Sequence, residues 1–169
     1  DDATNEVGDP HTFTVTVNQK LGSQTSPAPD GTPVTVTLTD ANGAVDEISE
    51  DTCADDGTVN GQCTITFTSD TAGTVTAHAE ATLTIAGTEH TVETDGAGSN
   101  SDDAVKTFVD AAVTIDPSAV NSIGESHTFT VTATKDAGDA AGSVPASGVN
   151  PVVTLTDAGG AVNSITSNT

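Results

Sequence analysis

The chain of 169 residues has no Trp, Tyr, Met or Arg, and aromatic side chains make up 2% of it. A single large core needs bulky residues. The apolar supply here is Val, Ile, Leu, Ala and four Phe, which suits the thin gap between two packed sheets. Basic groups are as scarce: three Lys stand against 25 acidic residues, for a formal charge of −22. Such a surface repels phosphate backbones and anionic headgroups, so nucleic acid and the membrane surface are excluded as direct partners. Solvation accounts for the acidic coat, with high salt and divalent cations as further ways of tolerating it. No apolar run is long enough to span a bilayer as a helix, and no stretch has the helical period over a useful length. The sequence opens without a signal-peptide pattern, as expected of a mature chain or a fragment.

What is present is Thr, set between apolar residues with a period of two. Phe13, Val15 and Val17 alternate with Thr12, Thr14 and Thr16; Val34, Val36 and Leu38 with Thr35, Thr37 and Thr39; Cys63, Ile65 and Phe67 with Thr64, Thr66 and Thr68. A longer run of the same kind carries Val75, Ala77, Ala79, Ala81, Leu83 and Ile85. Each pattern turns one face inward and leaves a Thr face in water. Turn signals separate the runs at Asp40–Gly43, Asp56–Gly57, Asn60–Gly61, Thr71–Gly73, Ala86–Gly87 and Asp95–Gly98. Short strands at this spacing, with no helices between them, argue for an all-β antiparallel sandwich.

The chain also repeats itself. ATNEVGDPHTFTVTV from Ala3 matches AVNSIGESHTFTVTA from Ala119 at an offset of 116 residues. VTLTDANGAV from Val36 matches VTLTDAGGAV from Val153 at an offset of 117. The slip falls in stretches 18–33 and 134–150, whose Pro, Gly, Ser and Asp read as loop. The period is that of a complete sandwich domain, which divides the chain into a repeat over 1–110 and the front half of a second over 111–169. Ala104–Asp116 has neither Gly nor Pro and reads as the last strand of the first repeat running directly into the first strand of the second, a semi-rigid junction without a linker. In this frame Asp1 aligns with Pro117 and Thr169 with Thr52. The chain is therefore expected to hold two front halves and one back half, as a window on a longer polypeptide would. Phe129, Val131 and Leu155 then lie on apolar faces that strands of the same kind must cover, from further sequence or from identical subunits placed end to end.

The blocks NEVGDPHTFTVTV, PAPDGTPVTVTLTDANGA, DTCADDGTVNGQCTITFTSDTAGTVTAHA and TDGAGSNSDDAVKTFVDA resemble, in order and over nearly the whole chain, a bacterial Ig-like repeat found in tandem in large secreted and cell-surface proteins, loosely related to the Ig-like repeats of invasin-type adhesins. The resemblance implies a spacer in an adhesin, stalk or surface fibre, and leaves any ligand unspecified.

Cys53 and Cys63 bracket ADDGTVNGQ, whose two turn signals let the chain fold back so that the sulfurs meet. A disulfide is expected, and with it an oxidising, extracellular compartment. Half of a zinc site is the alternative, without a CxxC or a second Cys pair to support it. Asp95, Asn100, Asp102 and Asp103 lie on a Gly-rich loop that could offer several oxygens to Ca2+, although its spacing is not that of an EF-hand and polar turns have the same composition. His11 and His127 are repeat equivalents, which suits a positional role; His78 lies on the outward parity beside Glu80, and His90 follows a turn. No HExxH, HxH or GxSxG occurs, and the acidic residues are scattered over loops without an aromatic platform for a sugar. Lys20 and Lys135 do not align between repeats, which counts against the isopeptide crosslinks of some surface Ig-like domains, and Lys106 is expected to reach from its strand to water.

The expectation is a structural extracellular module of a rod, stalk or self-assembling fibre, and not an enzyme. The alternative is an adhesin-type module whose end loops bind a glycan or a surface protein, with Ca2+ as an accessory. An exposed aromatic cluster would distinguish a binder. Catalysis would need a concave pocket with converging titratable groups.

Overall fold

The computed structural model describes residues 3–166; Asp1 and Thr169, the two ends of the repeat frame, lie outside the described residues. The chain is an all-β antiparallel sandwich. Its strands are β1 (Ala3–Glu6), β2 (His11–Thr16), β3 (Asn18–Leu21), β4 (Gln24–Pro27), β5 (Val34–Ala41) and β6 (Asp46–Asp51), then one helical turn α1 (Thr52–Asp55), then β7 (Gln62–Ser69), β8 (Gly73–Ile85), β9 (Thr88–Glu93), β10 (Ala104–Asp116), β11 (Thr130–Asp136) and β12 (Val144–Pro145).

The first sheet runs β10-β8-β5, with β1 parallel to β10 and β9 beside the far half of β8. The second runs β2-β7-β6. The alternating residues of both meet between the sheets. Phe13, Ile65 and Phe67 from one side pack with Val75, Ala77 and Phe108 from the other. A second cluster joins Val17, Ala28, Val34, Cys53, Cys63, Ala81 and Leu83. Thr12 and Thr66 face water and hydrogen-bond across strands at 2.9 Å. The Asn60–Gly61 signal becomes a tight reversal with both residues at positive φ, 52° and 73°, in the type I′ manner that matches strand twist.

Two expectations need correction. Stretches 18–33 and 134–150 are not simply loop: Thr134 and Lys135 pair with β12, and Asn18–Leu21 and Gln24–Pro27 form the β3–β4 hairpin. Almost all of its side chains are exposed, so it has no inward face and the alternating pattern had nothing to record. Lys106 does not reach water. It is fully buried, donates to Asn5 Oδ1 at 2.6 Å and lies 5.7 Å from the Phe108 ring centroid. Burial lowers its pKa, opposed by the charge of Asp9. Its stem points between the sheets, where Asn5 on the neighbouring β1 offers the compensating oxygen.

β10 is extended from end to end, as Ala104–Asp116 read. Ala104–Phe108 pair with β8, and Asp110–Asp116 pair with β11 on the other side of the junction. The β11–β12 connection rests against the end of the first sandwich. A Cβ on Gly138 would sit 2.5 Å from the Phe108 carbonyl oxygen and 3.0 Å from that of Gly73, so only Gly fits there. Among the described residues beyond Asp136 only β12 is a strand, and Phe129 and Leu155 remain 45% and 37% exposed.

Candidate functional site

A cluster of interacting titratable groups lies where β9 and β10 follow one another along the same edge of β8, with residues 94–103 looped out between them. The neck of that loop is closed by three side chains. Thr94 N–H donates to Ala79 O at 3.0 Å, and Ala79 N–H donates to Thr94 Oγ1 at 3.0 Å. Thr94 Oγ1 in turn donates to Asp103 Oδ1 at 2.5 Å, and His78 Nδ1 reaches the same oxygen at 2.8 Å. A carboxylate only accepts, so Nδ1 carries the imidazole proton. The other ring nitrogen lies 3.5 Å from Glu93 Oε2.

The electrostatics follow from these contacts. The Asp103 hydrogen bond lifts His78 above the ordinary imidazole pKa; partial burial works against it, and the charges of Asp103 and Glu93 add to it. Thr94 first, then His78, holds Asp103 below the usual carboxylate range. The protonated clasp is favoured in the fold, so its stabilising contribution is complete below the ordinary imidazole pKa and is lost as pH rises through the elevated value. His11 behaves in the opposite sense. Burial, then the Lys106 charge, depresses its pKa, so its contribution is lost as pH falls through the imidazole range. Global stability therefore mixes two opposed signals, and the imidazole resonances themselves are the proper measurement. In an NMR titration His78 should titrate above, and His11 below, the ordinary value. Asp103→Asn should return His78 most of the way; an unmoved His78 would show that the clasp is absent in solution.

The four residues considered for Ca2+ are divided by this geometry. Asp95 Oδ1 accepts from Ala97 N–H and Asn100 Nδ2, both at 2.9 Å, which closes the loop tip on itself. The Asn100 hydrogen bond is the main reason that the Asp95 pKa is lowered. The Asp102 carboxylate packs over Gly96, and Asp103 belongs to the neck. Among the described residues no group of three or more His, Cys, Asp or Glu side chains converges to hold a metal ion. The outward parity of His78 was legible in the sequence. Its partners Thr94 and Asp103 were not, because they meet only through the pairing of β9 and β10 with β8.

Cys53 and Cys63 are bonded to each other. Asp51 caps α1 by accepting from Ala54 N–H at 3.0 Å, and Thr52 Oγ1 accepts from Thr64 N–H at 2.8 Å, so α1 lies on β7 with Cys53 turned inward. A hollow of about 450 Å3 between β5 and α1 is lined by Pro33, Val34, Asp51, Cys53 and Asp55 among others, with no aromatic wall. Phe13, Phe67 and Phe108 are core residues. His11 and His127 repeat one arrangement, each edge-on to the next Phe at 4.6 and 4.5 Å.

No protein-family model matches the chain, and no curated protein or solved structure matches it either.

Proposed function

We propose that the chain is an extracellular structural module, part of a tandem array of Ig-like sandwiches that forms a rod, stalk or surface fibre. The observation that carries this reading is β10: one uninterrupted strand serves the first sandwich through β8 and continues into β11, with Gly138 seated on the first sandwich's end. Without a flexible linker, the relative direction of successive units is held by backbone pairing. The charge of −22 keeps such arrays solvated and apart. The disulfide suits an oxidising compartment, and among the described residues no helix is long and apolar enough to cross a membrane. The sequence resemblance to tandem Ig-like surface repeats points the same way. A glycan- or protein-binding adhesin gains less support, since three of the four Phe are buried and Phe129, with only His127 against it, is the one exposed Phe rather than part of an aromatic cluster.

Two measurements test the proposal. Antibodies against the chain should label intact source cells at a distance from the envelope; labelling only after permeabilisation overturns it. In small-angle scattering, Gly-Ser-Gly-Ser inserted between Asp110 and Ala111 should convert a single elongated shape into a distribution of bent ones. Unchanged scattering would mean that β10 does not set the direction.

A further inference from the structure

The edge of the first sandwich formed by β2 and β3 is open on one side. Val17 N–H donates to Gly61 O at 2.7 Å, and Val17 C=O accepts from Ala28 N–H at 2.9 Å. Both partners therefore lie on the same side of the track that runs from β2 into β3, the side already taken by β7 and β4. By strand alternation Thr14, Thr16, Asn18 and Lys20 turn their N–H and C=O groups to the opposite side. No described residue pairs with them there.

The same track occurs again in the chain, with its outer side filled. At the repeat offset, Thr14, Thr16, Asn18 and Lys20 correspond to Thr130, Thr132, Thr134 and Asp136 of β11. The inner side matches: Ala146 N–H donates to Ala133 O at 2.9 Å, as Ala28 does to Val17. On the outer side, Asp116, Thr114, Ala112 and Asp110 of β10 face those four residues in antiparallel register. The turn glycines agree. Gly138 is seated on the carbonyls of Phe108 and Gly73, whereas its equivalent Gly22 has the same left-handed φ, 64° against 71°, and nothing within 4 Å of where a Cβ would be.

We propose that the outer edge of β2–β3 is a strand-addition site for another unit of this repeat, which continues its last strand across Thr14–Lys20 as Asp110–Asp116 cross β11, and seats the Gly22 turn on its end. The occupant is an extended segment with the pattern Asp-Ala-Ala-Val-Thr-Ile-Asp. Backbone pairing supplies the attraction, and the carbonyl seat sets the register. This deepens the array reading above and rests on it, by naming the partner and the edge it uses.

The test joins Asp-Ala-Ala-Val-Thr-Ile-Asp directly before Asp1 of the full chain, the position the repeat alignment gives it, and follows amide hydrogen exchange by NMR. Exchange at Thr14, Thr16, Asn18 and Lys20 should slow by about tenfold or more, as for amides drawn into a sheet. The neighbouring amides of Val15 and Val17 should change little. Pro in place of the added Thr, whose N–H would face the β2–β3 edge, should abolish the effect, because it removes a ladder bond. Unchanged exchange at the four amides overturns the proposal, as does equal slowing with the Pro-bearing extension. Concentration-dependent protection of the unextended chain would also overturn it, in favour of edge-to-edge pairing of β2 between copies. If the edge stays open while the Gly-Ser insertion still bends the rod, this inference alone fails and the array reading stands.

Discussion

Phe67→Ala should lower the unfolding free energy by about 3–5 kcal/mol. Against the ~5–15 kcal/mol typical of a whole domain, that leaves the fold marginal. Phe67 is fully buried, and its ring lies 5.5 Å from Phe13, 6.1 Å from Phe108 and 5.9 Å from His11. It is the one aromatic side chain in contact with rings from both sheets. Its neighbours in the cluster are mostly Val, Ala and Ile, too short to close over the space it leaves, so the cavity penalty adds to the lost transfer energy. The control is Phe129→Ala. That ring is 45% exposed, and its loss should cost less than about 1 kcal/mol. Denaturant midpoints decide the matter. Equal costs at the two positions would mean that the core does not lie between β7 and β10.

The second large effect belongs to the disulfide. Replacing Cys53 and Cys63 together by Ala should cost ~2–3 kcal/mol by the loop-closure estimate for a short ring. Both sulfurs also contribute to the cluster of Val17, Val34, Ala81 and Leu83, so some packing is lost as well. The damage should be local before it is global. Amides of α1 and of the Asp56–Gly61 connection should lose protection ahead of β8, whose two edges remain paired. Identical unfolding curves with and without reductant would show that the bridge contributes nothing to stability.

Strand positions were legible because Thr and Val separate the wet face from the dry one at every second residue. β8 runs from Gly73 to Ile85, the span marked by Val75, Ala77, Ala79, Ala81, Leu83 and Ile85. The disulfide was legible because Asp56–Gly57 and Asn60–Gly61 supply the reversal it needs. Lys106 was misread for a tertiary reason: its residue type favours water, and only the approach of Asn5, a hundred residues earlier in the chain, makes a buried amine tolerable. The second copies of the β2 and β5 patterns were legible as sequence, yet the VTLTDAGGAV stretch forms no strand. β5 owes its place to β8, and no described residue plays that part for Val153–Leu155.

β10 also decides how the molecule answers a pull along its length. A hairpin drawn from one end opens one rung at a time, with each bond failing alone. β10 is gripped by β8 over five residues and, past Val109, by β11 over seven. Antiparallel bonds lie perpendicular to the strand, so tension carried along β10 shears all the rungs of a sheet together. A flexible joint would first straighten; here stretching the joint requires a sheet to slip.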